Sequence, residues 1–169
     1  MTIPPEGRTG YALKRAQHAL RLRMDESLRE VGLTTPQYAV LSLLEVDPGL
    51  SNAELARRAF VTPQTMNGIV AKLEAAGLLT RSAHPTHGRL QPTFLTLEGE
   101  RSLAVAHPHA AEVERRMVLG LGSTAEMALL DALRTCADAL EADRGDGGIR
   151  DRGPSGRIST EHERSTPRG

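Results

Sequence analysis

Ser51-Asn52-Ala53-Glu54-Leu55-Ala56-Arg57-Arg58-Ala59-Phe60-Val61-Thr62-Pro63-Gln64-Thr65-Met66-Asn67-Gly68-Ile69-Val70-Ala71-Lys72-Leu73 contains two helix starts in quick succession. Ser51 and Glu54 form a capping box, in which the serine hydroxyl accepts from the Glu54 amide and the carboxylate accepts from the Ser51 amide. The helix that follows is short, about Asn52 to Ala59, and Phe60 and Val61 connect it to the next. Thr62 and Pro63 start the second helix, a hydroxyl cap followed by a residue whose missing N–H is no loss in the first turn. That helix runs to about Ala76, where Gly77 stops it. Met66, Ile69, Val70 and Leu73 fall at i, i+3, i+4 and i+7, so only one face is apolar. A short capped helix, a tight turn and a one-sidedly apolar helix make a helix-turn-helix.

The outward positions of the second helix are Gln64, Thr65, Asn67, Gly68, Ala71 and Lys72. Gln and Asn side chains pair with adenine in the DNA major groove, and Thr contacts a base or a thymine methyl. Thr62 stands where a phosphate would meet a helix N-terminus. Gly68 and Ala71 permit close approach. Arg57 and Lys72, with Arg58 and Arg81, are candidate phosphate contacts. A polar helix face taken alone is more often just solvated; the short capped helix before it and the hairpin after it turn the reading towards DNA.

Before this stretch, Leu13, Ala16, Leu20, Met24 and Leu28 recur at helical spacing within a helix from Gly10 to Val31, which Gly32 stops. Thr34, Thr35 and Pro36 start a mostly apolar helix through Tyr38, Val40, Leu41, Leu43 and Leu44, and Asp47-Pro48-Gly49 form a turn. After Gly77, Leu78 to Ser82 and Arg89 to Thr96 are expected to pair as a hairpin around a tip at His84 to Gly88. Leu97 to about Gly120 predicts a long helix bent at Pro108, and Ser123-Thr124 start a last one carrying Met127, Leu129, Leu130, Leu133, Ala137 and Leu140. The fold class is therefore mainly α with a small β-hairpin wing: a winged helix-turn-helix over about 34–97, flanked by helices 10–32 and 97–142. Residues 1–9 are expected to lack order. Residues 143–169, with six Arg, five acids, six Gly and only two aliphatic residues, Ile149 and Ile158, are expected to form a disordered tail.

The chain's formal charge of zero hides a pattern. Residues 51–96 carry five basic residues (Arg57, Arg58, Lys72, Arg81, Arg89) against two acidic (Glu54, Glu74), whereas residues 97–142 carry four basic against eight acidic. Local field governs docking more than the total does. Aromatics are 2% of the chain, which suits packed helices better than a β-sandwich. The lone Cys136 excludes an intrachain disulfide and makes no zinc site by itself; its place in an apolar helix face marks it as a small core residue. No apolar run approaches the ~20 residues of a membrane span, and the first residues have no leader-like apolar stretch, so a cytoplasmic protein is expected. No phosphate loop, nucleophile elbow or carboxylate pair marks an enzyme. No catalytic residue, metal or cofactor is expected.

These stretches resemble the MarR family of bacterial transcriptional regulators. The matching residues are Leu33-Thr34-Thr35-Pro36-Gln37-Tyr38-Ala39-Val40-Leu41, Ser51 to Ala56, Val61 to Asn67, Leu73 to Leu78, and Arg89 followed by Phe94 to Gly99; the likeness covers about residues 10–142. The resemblance implies a homodimer formed through the first and last helices and binding to a pseudo-palindromic double-stranded operator. Gln64, Thr65 and Asn67 would read bases, Thr62, Arg57 and Lys72 would hold phosphates, and Arg89 at the wing would enter the minor groove. It further implies a repressor released by a small aromatic or phenolic effector bound between the dimer region and the winged domain. His18, Met24 and Tyr38 are the candidate pocket residues, though packing within the dimer core explains them equally well. His107 and His109, either side of Pro108, are read as a solvated or locally hydrogen-bonded pair. The alternative from another class is a protein-interaction adaptor that uses the winged scaffold without DNA. A small-molecule binder that has lost its DNA contact fits poorly with the basic centre.

The family wing commonly carries two Asp residues where this chain has His84 and His87, so the usual acidic brace for Arg89 is missing. Two histidines in a loop lack a third metal ligand; hydrogen bonds to phosphate or water suit them better. Their protonation adds positive charge to the wing. Operator affinity is therefore expected to rise as pH falls below about 6.5; equal affinities at pH 6 and pH 8 in a fluorescence-anisotropy titration would remove the effect.

Overall fold

Four helices begin at a hydroxyl cap, and the computed structural model, which describes residues 4–82 and 92–145, gives each its partner. Thr34 caps α2 (Thr35–Val46) in a capping box closed by Gln37. Ser51 caps α3 (Asn52–Arg58), with the Ser51 amide donating to Glu54 Oε2 at 2.8 Å. Thr62 caps α4 (Pro63–Ala75), its Oγ1 accepting from the Thr65 amide at 3.1 Å. Thr96 caps α5 (Leu97–Val118) by accepting from the Gly99 amide at 3.0 Å. The first helix, α1 (Thr9–Arg29), has no side-chain cap and follows a 3-10 turn at Pro5–Gly7, where the sequence suggested no order.

Three helices end alike. After α1, α3 and α4 a residue enters the left-handed region: Gly32 (φ 78°), Phe60 (φ 54°) and Gly77 (φ 71°). Their amides donate to the carbonyls of Arg29, Arg57 and Glu74, and the next amides, of Leu33, Val61 and Leu78, reach the carbonyls of Leu28, Ala56 and Leu73. This double bond pattern satisfies carbonyls that a helix end leaves open and turns the chain sharply.

The turns fold α1 to α5 around one core of aliphatic side chains. Leu28 (α1), Val40, Leu41 and Leu44 (α2), Leu55 (α3), Met66, Val70 and Leu73 (α4) and Leu103 and Ala106 (α5) are buried in it. The hairpin strands β1 (Leu79–Arg81) and β2 (Thr93–Leu95) pair antiparallel in the register Leu79 to Leu95, and Leu50 bridges the other edge of β2 at Thr93. Both strands are shorter than the sequence suggested. The wing tip, with His84, His87 and Arg89, lies outside the described residues. Helix α5 runs unbroken through Pro108. The stripe expected along α1 is buried only in its second half: Met24 and Leu28 are in the core, Leu20 is half-buried, and Leu13 and Ala16 are exposed.

The chain divides into two units, Met1–Leu121 and Gly122–Gly169. The second contains α6 (Ser123–Gly145), slightly longer than expected; residues 146–169 of the expected tail lie outside the described residues. Met127, Leu129, Leu130, Leu133 and Leu140 on α6 are exposed. So is Cys136, which corrects its reading as a core residue: a single helix buries no face by itself. No helix among the described residues is long and apolar enough to cross a membrane.

At the junction of α4, β1 and α5 the backbones pack closely. Thr96 Oγ1 donates to the Gly77 carbonyl at 2.6 Å, and the Thr96 amide donates to the Leu78 carbonyl at 3.1 Å. A Cβ on Gly99 would lie 2.0 Å from that Leu78 carbonyl oxygen, so only glycine fits. Gly99→Ala is expected to destabilise the fold by ~1–3 kcal/mol through forced backbone separation, read as a lower midpoint of denaturant unfolding; an unchanged midpoint would show that the junction yields freely. A second expectation concerns acid. The Ser51 hydroxyl and amide, with smaller help from Arg58 and Arg57, hold the Glu54 carboxyl below the usual carboxylate range. A lowered folded value means the stabilisation is complete above the unfolded value and fades as pH drops through the folded one. The gap in melting temperature between the parent and Glu54→Ala should therefore be full at pH 7 and shrink below about pH 4.5; a gap independent of pH would mean that the charged form of the cap contributes nothing.

Candidate DNA interface and its supporting contacts

Helix α4 is locked by one face and open on the other. Met66, Val70 and Leu73 are fully buried and Ile69 is half-buried, while Gln64, Thr65, Asn67, Gly68, Ala71 and Lys72 are all exposed. The sequence-derived base-reading residues thus share one solvent-facing side of one helix. Among the described residues, no side chain comes within 4 Å of where a Cβ on Gly68 would sit, which leaves the middle of that face flat.

Two of these residues already have partners. Asn67 Oδ1 accepts from Asn52 Nδ2 at 2.7 Å, a bond that ties the first residue of α3 to the open face of α4. A bidentate adenine contact by Asn67 would share that oxygen. Thr62 and Thr65 are joined through their hydroxyls at 2.8 Å, so the Thr62 oxygen serves the helix cap as well as any phosphate.

The basic residues separate into two kinds. Arg58 is paired with Asp47 at 2.6 Å and Arg81 with Glu74. The Arg81 guanidinium holds the Glu74 carboxyl below its ordinary range and is itself raised by it. These pairs brace the helix-turn-helix to the α2–α3 loop and the wing to α4. Arg57 and Lys72 are exposed, with no acid at ion-pair distance among the described residues. They remain the cations available to phosphate in this region.

The three candidate pocket residues have different surroundings. His18 is exposed on α1, Met24 belongs to the core, and Tyr38 on α2 is half-buried. A groove of about 760 Å³ between α1 and α5 has Ala16, Leu20, Val113 and Met117 among its apolar lining and Arg23 and Arg116 among its charged lining, and includes none of the three.

The histidines beside Pro108 form contacts that sequence reading missed. Tyr38 Oη lies 3.1 Å from His107 Nδ1, and His107 Nε2 lies 3.0 Å from Glu45 Oε2, joining α5 to α2. The two rings also meet edge to face, 5.7 Å apart. His109 turns the other way, to Ser27 at 3.4 Å and Glu30 at 3.7 Å on α1. The only signal in the sequence was the His-Pro-His run itself; partners so distant along the chain leave no local trace.

Residues 31–90 match the MarR family. The HTH-type transcriptional repressor Rv2887 of Mycobacterium tuberculosis is 40% identical over 121 residues, spanning 69% of this chain and 87% of the relative. A crystal structure of that protein in complex with salicylic acid superposes with a TM-score of 0.64 at 36% identity, covering 76% of this chain and 96% of the other. The transcriptional repressor CouR bound to a 23-mer DNA duplex superposes with a TM-score of 0.73 at 31% identity, covering 81% and 99%. With the helix-turn-helix, the hairpin wing and these likenesses in agreement over most of its length, the chain belongs to the MarR family.

Proposed function

We infer that this chain is a sequence-specific DNA-binding transcriptional regulator, a repressor released from its operator by a small aromatic ligand. The observation that carries the reading is the open face of α4, whose exposed Gln64, Thr65, Asn67 and Lys72 sit on a helix held by a buried opposite face. A helix so held fits the ~12 Å major groove without rearranging the core. The repressor named among the relatives, and the neighbours solved with DNA and with salicylic acid, support the same reading. They belong to a family of regulators rather than of enzymes.

In this reading Gln64, Thr65 and Asn67 contact base edges, Thr62, Arg57 and Lys72 hold phosphates, and Arg89 enters the minor groove from the wing. The protein acts as a homodimer through α1 and α6, whose exposed Tyr11, Leu13, Leu130 and Leu133 would otherwise stay in water. Two-fold symmetry calls for a pseudo-palindrome with half-sites ~10 base pairs apart, centre to centre. Of the candidate effector residues, Tyr38 is best supported, because its hydroxyl meets His107 where the winged domain joins the long helix α5. A ligand competing for that hydroxyl would act on both helices.

The test is fluorescence anisotropy on the upstream intergenic duplex and a scrambled one, over a salt series, with and without salicylate. The expected result is an operator preference of ~10³ or more with a steep negative salt slope. Lys72→Ala should weaken binding to both duplexes and reduce the slope by about 1, whereas Gln64→Ala should cost ~1–3 kcal/mol on the operator alone. Salicylate should lower operator affinity in the parent and less so in Tyr38→Phe. Equal weak binding to both duplexes would sink the DNA-reading assignment.

A further inference from the structure

We propose that Phe60, in the turn of the helix-turn-helix, is a DNA-contact residue whose ring packs on the deoxyribose edge of the strand bordering the groove that α4 enters. The proposal rests on the DNA-binding reading above and names a contact that the recognition helix does not supply.

Three helices of this chain stop with the same pair of backbone hydrogen bonds around a left-handed residue. At two of the stops that residue is glycine, Gly32 and Gly77, which takes the conformation without steric penalty. At the third it is Phe60 at φ 54°, where a side chain is disfavoured. Burial of the ring would compensate for this, but the ring is not buried. Phe60 is 89% exposed, more than any other large apolar side chain among the described residues. The chain has only two Phe and two Tyr, and its fold gains nothing from placing one of them there.

The position explains the choice. Phe60 lies two residues before Thr62, the cap of α4, and three after Arg57, an exposed cation with no acid at ion-pair distance among the described residues. When the first turn of α4 meets base edges, the turn that delivers it faces the sugar–phosphate strand. Arg57 then has a phosphate to neutralise, and the ring has the apolar C–H face of the adjoining sugar. Such a contact positions the protein and carries no sequence information. The ring also cannot release a counterion, since it neutralises no phosphate.

The experiment compares the parent, Phe60→Gly and Phe60→Leu in the full chain, by thermal unfolding and by anisotropy on operator and scrambled duplexes across salt. Glycine suits the left-handed backbone, so the melting temperature of Phe60→Gly should equal or exceed the parent's. Its affinity should fall about five- to tenfold on both duplexes alike, with the parent's salt slope retained. Phe60→Leu should keep most of the affinity. Unchanged DNA affinity in Phe60→Gly would overturn the proposal. A lower melting temperature accompanying the loss would make Phe60 a structural residue, and a shallower salt slope would point to a displaced phosphate contact; either result overturns it. If the parent itself shows no operator preference, the regulatory reading fails, and that outcome is separate from any difference between parent and variant.

Discussion

Met66, Val70 and Leu73 are completely buried in the core, where α4 lies beside α2, α3 and β1, and their burial sets the rotation of α4 about its own axis. Each such side chain contributes ~1.5–3 kcal/mol when removed from water. Turning the helix by one residue, about 100°, would exchange aliphatic for polar side chains at the core and lose several such contributions. The polar face of α4 is thus aimed by the aliphatic one. A recognition surface needs this rigidity, because a base-edge hydrogen bond tolerates little misplacement.

Helix ends do the rest of the positioning. Hydroxyl caps start α2 to α5, and left-handed stops follow α1, α3 and α4. Each element therefore has a defined first and last turn, and the connections are short enough to transmit orientation from one helix to the next. The stop after α4 is also the platform for α5. Thr96 bonds to the Gly77 and Leu78 carbonyls, and the missing side chain of Gly99 lets the two backbones touch. The wing springs from this junction and is braced to α4 by Arg81 and Glu74, so the orientation of its base depends on that of the recognition helix.

The long helix α5 connects this winged unit to the region read as the dimer support. Its His107 bonds towards α2 and its His109 towards α1, on either side of a proline that removes one backbone donor from the helix. Polar bridges on both sides of Pro108 thus tie α5 to two other helices of the winged unit. A ligand there gains leverage over the DNA-reading unit only by changing the relative stability of two arrangements.

The helix-turn-helix, its caps, the open face of α4 and the hairpin after it are legible along the chain, because all of these depend on residues within a few positions of one another. Apolar spacing shows which face is buried, and Ser51, Thr62, Pro63 and Gly77 mark the ends through local hydrogen bonding and backbone preference. Folding in three dimensions made the pairings between elements: Asn52 with Asn67, Arg58 with Asp47, and the two histidines of α5 with two different helices. It also placed Met24 in the core, left His18 and Cys136 exposed, and showed that Phe60 carries a left-handed backbone with its ring in solvent. The physical reason is one of range. Capping and periodicity act along the chain, whereas side-chain partnership and exposure are settled only when helices far apart in sequence are packed together.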